Sequence, residues 1–178
     1  MKCGIELIFD DESQNKINSI RKKLVEAGVH DEAVKLNHVS LTGVEFREDQ
    51  LDLVKQITQN FACTHAALNL TLSALGAFMG ATNVVFYAPV LTDELVRYND
   101  ELVAEFTKNG MVCDKNYTHN NWLPHCTLAI RISDAEFKIA MDVLKDNKIL
   151  PINVVGTKVD VLLSDPKPYK QLAVYDLN

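Results

Sequence analysis

Residues 37–41 read NHVSL and residues 124–128 read PHCTL. Each stretch sets a histidine two residues before a hydroxyl residue and closes on leucine. In an extended strand the side chains at i and i+2 share a face. His38 then projects with Ser40, and His125 with Thr127, while Val39 and Cys126 turn to the opposite, packing face. The chain has five histidines in 178 residues, and two of them stand in the same local pattern in different halves.

The sequence around each motif repeats an order of elements. In the first half, 3–9 (CGIELIF) is a short apolar run that predicts a buried strand. Helical spacing follows over 11–28, with Ile17, Ile20, Leu24 and Val25 on one face, Asp10 or Asp11 as cap and Gly28 as stop. The motif strand occupies 36–44, a helix 48–60, and an alternating strand 67–78. In the second half a strand is expected at 83–90, a helix at 92–108, a long polar loop at 109–124 and the motif strand at 125–132. A helix over 133–146 opens on Ser133 with Glu136 three residues on, the pattern of a capping box. A strand over 152–164 with a bulge near Gly156, a turn at Asp165-Pro166 and a strand over 170–177 complete the chain. The fold class is therefore α+β, a single two-lobed domain over 1–178. The half-repeats run over 3–78 and 83–164, and a pseudo-twofold relating them would set the two motif pairs face to face across a cleft.

Composition limits the function classes. Apolar residues make up 47% of the chain, enough for a substantial core, and the formal net charge is −6. An acidic chain is poorly suited to non-specific grip on long nucleic acid, which needs many cations on the phosphates. The N-terminus turns acidic too soon for a secretory signal, and no run reaches the roughly 18 apolar residues of a membrane span. These features predict a soluble, cytoplasmic protein with no membrane partner. Cys3, Cys63, Cys113 and Cys126 show neither disulfide nor zinc spacing and read as buried reduced thiols.

Two imidazoles facing each other across a groove suit the cleavage of a phosphodiester. In-line displacement needs a proton removed from the attacking oxygen and another given to the leaving oxygen. One neutral and one protonated histidine do both, because the free imidazole titrates near ~6.5. Ser40 and Thr127 can donate hydrogen bonds to the non-bridging oxygens, where charge builds up.

The pair HVSL and PHCTL, in tandem half-repeats of this length, resembles the two-histidine phosphoesterase superfamily, which includes 2′-5′ RNA ligase-like proteins and cyclic phosphodiesterases. The resemblance implies a bilobal α+β fold, a pseudo-twofold duplication with two antiparallel sheets lining a central groove and helices outside. It also implies hydrolysis of 2′,3′-cyclic phosphates or 2′-5′ phosphodiesters without metal or other cofactor, and in some members reversible RNA ligation. By this resemblance His38 and His125 are the catalytic residues and Ser40 and Thr127 the phosphate-binding hydroxyls. The implied partner is a nucleotide or short RNA, with a role in RNA processing and no obligate protein partner. RNA-processing members often carry basic residues around the groove. Here only Arg47 and Arg131 follow the motifs closely, and Arg131 is taken as a candidate substrate contact.

In the loop before the second motif, Tyr117, His119 and Trp122 can either stack on a base at the groove mouth or pack onto their own lobe. Cys113, His119, His125 and Cys126 fit no usual zinc pattern. His30 and His65 have no hydroxyl partner in strand register and read as surface or helix-end residues. GAFMG (76–80) lacks the Lys-Ser/Thr of a phosphate loop and reads as a turn. Two other function classes remain to be tested against the phosphodiesterase: a non-catalytic module binding nucleotides or RNA ends in the same cleft, and a zinc hydrolase.

Overall fold

A computed structural model describes residues 1–30, 36–147, 149–165 and 169–178. In chain order the elements are β1 (Lys2–Phe9), α1 (Asp11–Glu26), β2 (His38–Glu45), α2 (Leu51–Thr64), β3 (Leu68–Phe78), β4 (Asn83–Pro89), α3 (Asp93–Lys108), β5 (Val112–Cys113), β6 (Cys126–Ile132), α4 (Asp134–Asn147), β7 (Ile152–Asp165) and β8 (Lys170–Asp176). The turn expected at Asp165-Pro166 lies partly outside the described residues.

The helix ends follow local chemistry. Asp10 caps α1 by accepting a 2.8 Å hydrogen bond from the Ser13 N–H. The helix stops at Gly28, whose φ of +97° is the left-handed conformation that glycine adopts without a Cβ penalty. The next residue, Val29, donates back to the Leu24 carbonyl at 3.0 Å, and both side chains are buried. Ser133 and Glu136 form the expected box at α4: the Ser133 N–H donates to Glu136 Oε2 at 2.8 Å and the Glu136 N–H to Ser133 Oγ at 3.3 Å. The helix predicted from residue 48 begins later, because Glu48–Gln50 form a single 3-10 turn ahead of α2.

All strand pairs are antiparallel, in the order β5-β2-β1-β7-β3-β4-β6, with β8 also on β7. The two sheets expected from the sequence are two ends of one hydrogen-bonded sheet. The 14-residue β7 joins them, pairing with β3 over Ile152–Gly156 and with β1 from Gly156 onward. Gly156 sits at this transition, and a Cβ there would lie 2.5 Å from Leu7 Cγ, so the close approach of β1 requires glycine.

The pairing pattern maps onto itself when the halves are exchanged: β1·β2 corresponds to β4·β6, and β1·β7 to β4·β3. The bulges correspond as well. Glu6 faces Ser40 while Ile5 faces Thr42, leaving Leu41 as the extra residue. Phe86 faces Thr127 while Val85 faces Ala129, leaving Leu128 extra. The leucine that closes each motif is thus the bulged residue, turned into the core at 0% and 2% exposure. This correspondence is compatible with the half-repeat organisation.

The helices also cross between halves. α1 packs on α4, β6 and β7, while α3 packs on β2. Val39 and Cys126 join the helix-facing core as expected, and the bulged Leu41 joins it as well. Of the cysteines, Cys3 and Cys126 are buried and Cys113 partly so, but Cys63 is exposed, because it lies on the outer face of α2. Among the described residues no helix is long and apolar enough to cross a membrane.

Candidate active site

The two motif histidines are held in the same way. His38 Nδ1 lies 2.9 Å from the Leu36 carbonyl and His125 Nδ1 lies 2.8 Å from the Leu123 carbonyl. A carbonyl can only accept, so each Nδ1 carries the proton and each Nε2 is left as the lone-pair nitrogen. The motif strands meet at their starts: the Cys126 thiol lies against the His38 backbone N–H, and the charge of His38 acts on His125. Burial is the largest influence on both rings and pushes both pKa values below the ordinary imidazole range. For His125 the charge of His38 adds to the lowering. Ser40 and Thr127 are half-buried beside them.

Both loop aromatics named from the sequence reach across to the first motif. Trp122 donates its indole N–H to the Ser40 carbonyl at 3.1 Å and packs on the core. The Tyr117 hydroxyl is hydrogen-bonded to Ser40, and burial raises its pKa. Asn99, 1% exposed, locks this arrangement by donating to the carbonyls of Leu41 at 2.6 Å and Tyr117 at 2.7 Å. The loop of the second half therefore folds over the motif of the first, which neither alternative for these aromatics anticipated.

Arg131 does not join this group. It lies at the other end of β6, six residues beyond His125, or roughly 20 Å along an extended strand. There it is the extra residue between Ile130 and Ile132, in a left-handed conformation with φ of 59°. Arg47 is exposed and clasped by Asp49 at 3.0 and 3.1 Å. His119 pairs with Asp100 at 3.0 Å on the surface. His65 sits at the end of α2 but is buried, stacked on Phe61 at 3.8 Å and bonded to Glu101 at 2.7 Å. Among the described residues, no three His, Cys, Asp or Glu side chains are grouped to hold a metal.

Three residues that the sequence reading passed over shape the site. Asn37, 2% exposed, anchors the entry to β2. Its side chain donates to Gln14 Oε1 and Asn18 Oδ1, both at 2.8 Å, and accepts from Arg21 at 3.2 Å. Glu6 lies beside Ser40 in register, with Oε1 3.5 Å from His38 Nε2. Asp160 stands opposite Glu6 on β7. Burial pushes Glu6 up to about 8, while burial and the charge of Glu6 push Asp160 up to about 7. With the carboxyl raised and the imidazole lowered, the Glu6–His38 contact joins neutral groups near pH 7 and is no ion pair. The signal for Glu6 was its charge inside an otherwise apolar run, but only the strand register shows what it faces.

Each half thus sets one imidazole on a bulged antiparallel strand with a hydroxyl at i+2, the arrangement the two-histidine phosphoesterase resemblance calls for. Residues 9–167 match the family model described as the 2′-5′ RNA ligase superfamily, and the chain belongs to that superfamily. Among solved structures it is similar to TT0787 of Thermus thermophilus, with TM-score 0.70 and 18% identity over 99% of this chain and 98% of that one. It is also similar to E. coli LigT complexed with 3′-AMP, with TM-score 0.67 and 16% identity over 99% and 98%. A third is the MHV ns2 PDE domain, with TM-score 0.53 and 14% identity over 99% and 97%. At these identities the likeness is one of fold. No curated protein sequence gives a significant match.

Proposed function

We propose that the protein is a phosphodiesterase that hydrolyses 2′,3′-cyclic phosphate or 2′-5′ phosphodiester bonds by general acid–base catalysis at His38 and His125. The observation that carries this reading is the shared tautomer. Both rings bond a carbonyl through Nδ1, so both present Nε2 for proton transfer. One Nε2 takes the proton of the attacking oxygen and the other returns a proton to the leaving oxygen, which completes the displacement without a metal. Ser40 and Thr127 donate to the non-bridging oxygens. Tyr117 and Trp122 act by fixing Ser40 in place.

The substrate is nucleotide-sized. The chain carries a net charge of −6, a setting that disfavours a long polyanion. Structures of E. coli LigT hold 3′-AMP, NADP+ and ATP, ligands of the size proposed here. The test is turnover of a 2′,3′-cyclic nucleotide in EDTA. His38→Ala and His125→Ala should each lower the rate by about 10²–10⁴-fold. Undiminished activity in both variants rejects the mechanism, and nucleotide binding with no turnover by the wild type makes the protein a binding module.

A further inference from the structure

The two halves share a backbone pattern but differ in what stands behind each motif. Ser40, Glu6 and Asp160 lie in one row across β2, β1 and β7. The corresponding row in the second half is Thr127, Phe86 and Gly76, across β6, β4 and β3. One imidazole is therefore backed by two carboxyls and the other by an aromatic ring over a glycine. His125 lies 5.0 Å from the Phe86 ring and 5.1 Å from the Phe78 ring. His38 Nε2 lies 3.5 Å from Glu6 Oε1.

Directly opposed residues of adjacent antiparallel strands have Cβ atoms about 4.5–5.5 Å apart. Two carboxyls at that spacing, 7% and 2% exposed, do not both ionise at neutral pH. Asp160 Oδ2 accepts from Gln171 at 2.9 Å, whereas its buried Oδ1 has no hydrogen-bond partner among the described residues. The titratable groups around the pair are few. His38 faces Glu6 from β2, Tyr117 senses its charge from the loop, and Cys3 senses both carboxyls from β1. The buried Arg21 of α1 acts on His38, and His38 in turn acts on His125.

We propose that Glu6 and Asp160 are positioning residues that hold one proton in reserve for His38, making His38 the general acid and His125 the general base. This rests on the phosphodiesterase reading above. At rest His38 is neutral with Nε2 unprotonated and Glu6 holds the proton; when the anionic phosphate binds beside the ring, the Glu6 O–H bond breaks and an Nε2–H bond forms. That Nε2–H bond breaks in turn as the proton passes to the leaving oxygen, leaving the pair one proton poorer until solvent replaces it. His125, set among phenyl rings and repelled by His38 once that ring is charged, stays neutral, accepts the proton of the attacking oxygen and releases it to solvent. The raised Glu6 and Asp160 values, about 8 and about 7, agree with a proton kept on the pair near neutrality.

The test is an NMR titration of the imidazole resonances in wild type, Glu6→Gln and Asp160→Asn, alongside the pH profile of kcat/KM on a 2′,3′-cyclic nucleotide. In wild type the His38 ring should report a second inflection from the carboxyls, above its own titration. Removing either carboxyl relieves the other of its like-charged neighbour, so each variant should lower that inflection by about half a pH unit or more, roughly threefold in proton affinity. The alkaline limb of the rate profile should move down with it while the acid limb stays. Either variant decides the matter if the other fails to fold. Identical His38 curves in wild type and a folded variant would overturn the proposal. Absence of turnover would reject the phosphodiesterase reading alone, because the titration needs none.

Discussion

Replacing Glu6 by glutamine should make the protein more stable in alkali. The folded values of Glu6 and Asp160, about 8 and about 7, lie above the ordinary 4.5 and 3.8. The pair therefore leaves stability intact below about pH 4, where both states are protonated. It costs progressively more as pH rises, because the unfolded chain ionises first, and the loss is complete only above about pH 8. A carboxyl moved from 4.5 to about 8 corresponds to roughly 5 kcal/mol at full ionisation. Part of that remains in the variant, as burial of the ionised Asp160 and of the new amide. We expect Glu6→Gln to gain about 2–4 kcal/mol over wild type at pH 9 and to match it at pH 4. Urea unfolding at the two pH values measures the difference directly. A wild-type minus variant difference that is equal at both, or a variant less stable at pH 9, would refute the reasoning.

Other outcomes follow from the same contacts. Gly76→Ala drives a Cβ to 2.3 Å from the Phe86 ring, so it should cost about 1–3 kcal/mol as overpacking and lower activity through the ring's contact with His125. A wild-type Tm would contradict this. Asn37→Ala strips Gln14 and Arg21 of a buried partner and should cost about 2–4 kcal/mol. Measured by urea midpoint, it should also lower kcat at temperatures where the variant remains folded, because β2 loses its anchor. Because burial lowers both imidazoles, the base stays neutral into mild acid, and the acid limb of kcat/KM should fall below about pH 6.5. A limb above about pH 7 would contradict that placement.

Much of the fold was legible because periodicity and caps agreed. The apolar spacing of Ile17, Ile20 and Leu24 with Gly28 beyond it, or Ser133 with Glu136, each carries its own physical reason. The paired His-x-hydroxyl strands were legible for the same cause, since side-chain direction in a strand depends only on parity. What the sequence hid depends on register. Nothing local to CGIELIF says that Glu6 faces Asp160, 154 positions away, or that β7 is long enough to join both half-sheets. The bulges at Leu41 and Leu128 break parity just after each motif, and so does the extra residue Arg131. Parity counted from His125 therefore fails at Ala129 and Ile130 and is restored only at Ile132, and Arg131, singled out for its nearness to the motif in sequence, lies at the far end of β6. Tyr117 and Trp122 were noticed as aromatics, but their bonds to Ser40 arise from docking between the halves.

The central claim is that two imidazoles share one phosphate. A crystal structure with inorganic phosphate or a nucleoside monophosphate bound measures this most directly. The account predicts one phosphate whose oxygens lie within hydrogen-bond reach, about 2.6–3.2 Å, of both His38 Nε2 and His125 Nε2, with Ser40 and Thr127 on its remaining oxygens. A phosphate that touches only one of the two rings, or binds away from both, would contradict it.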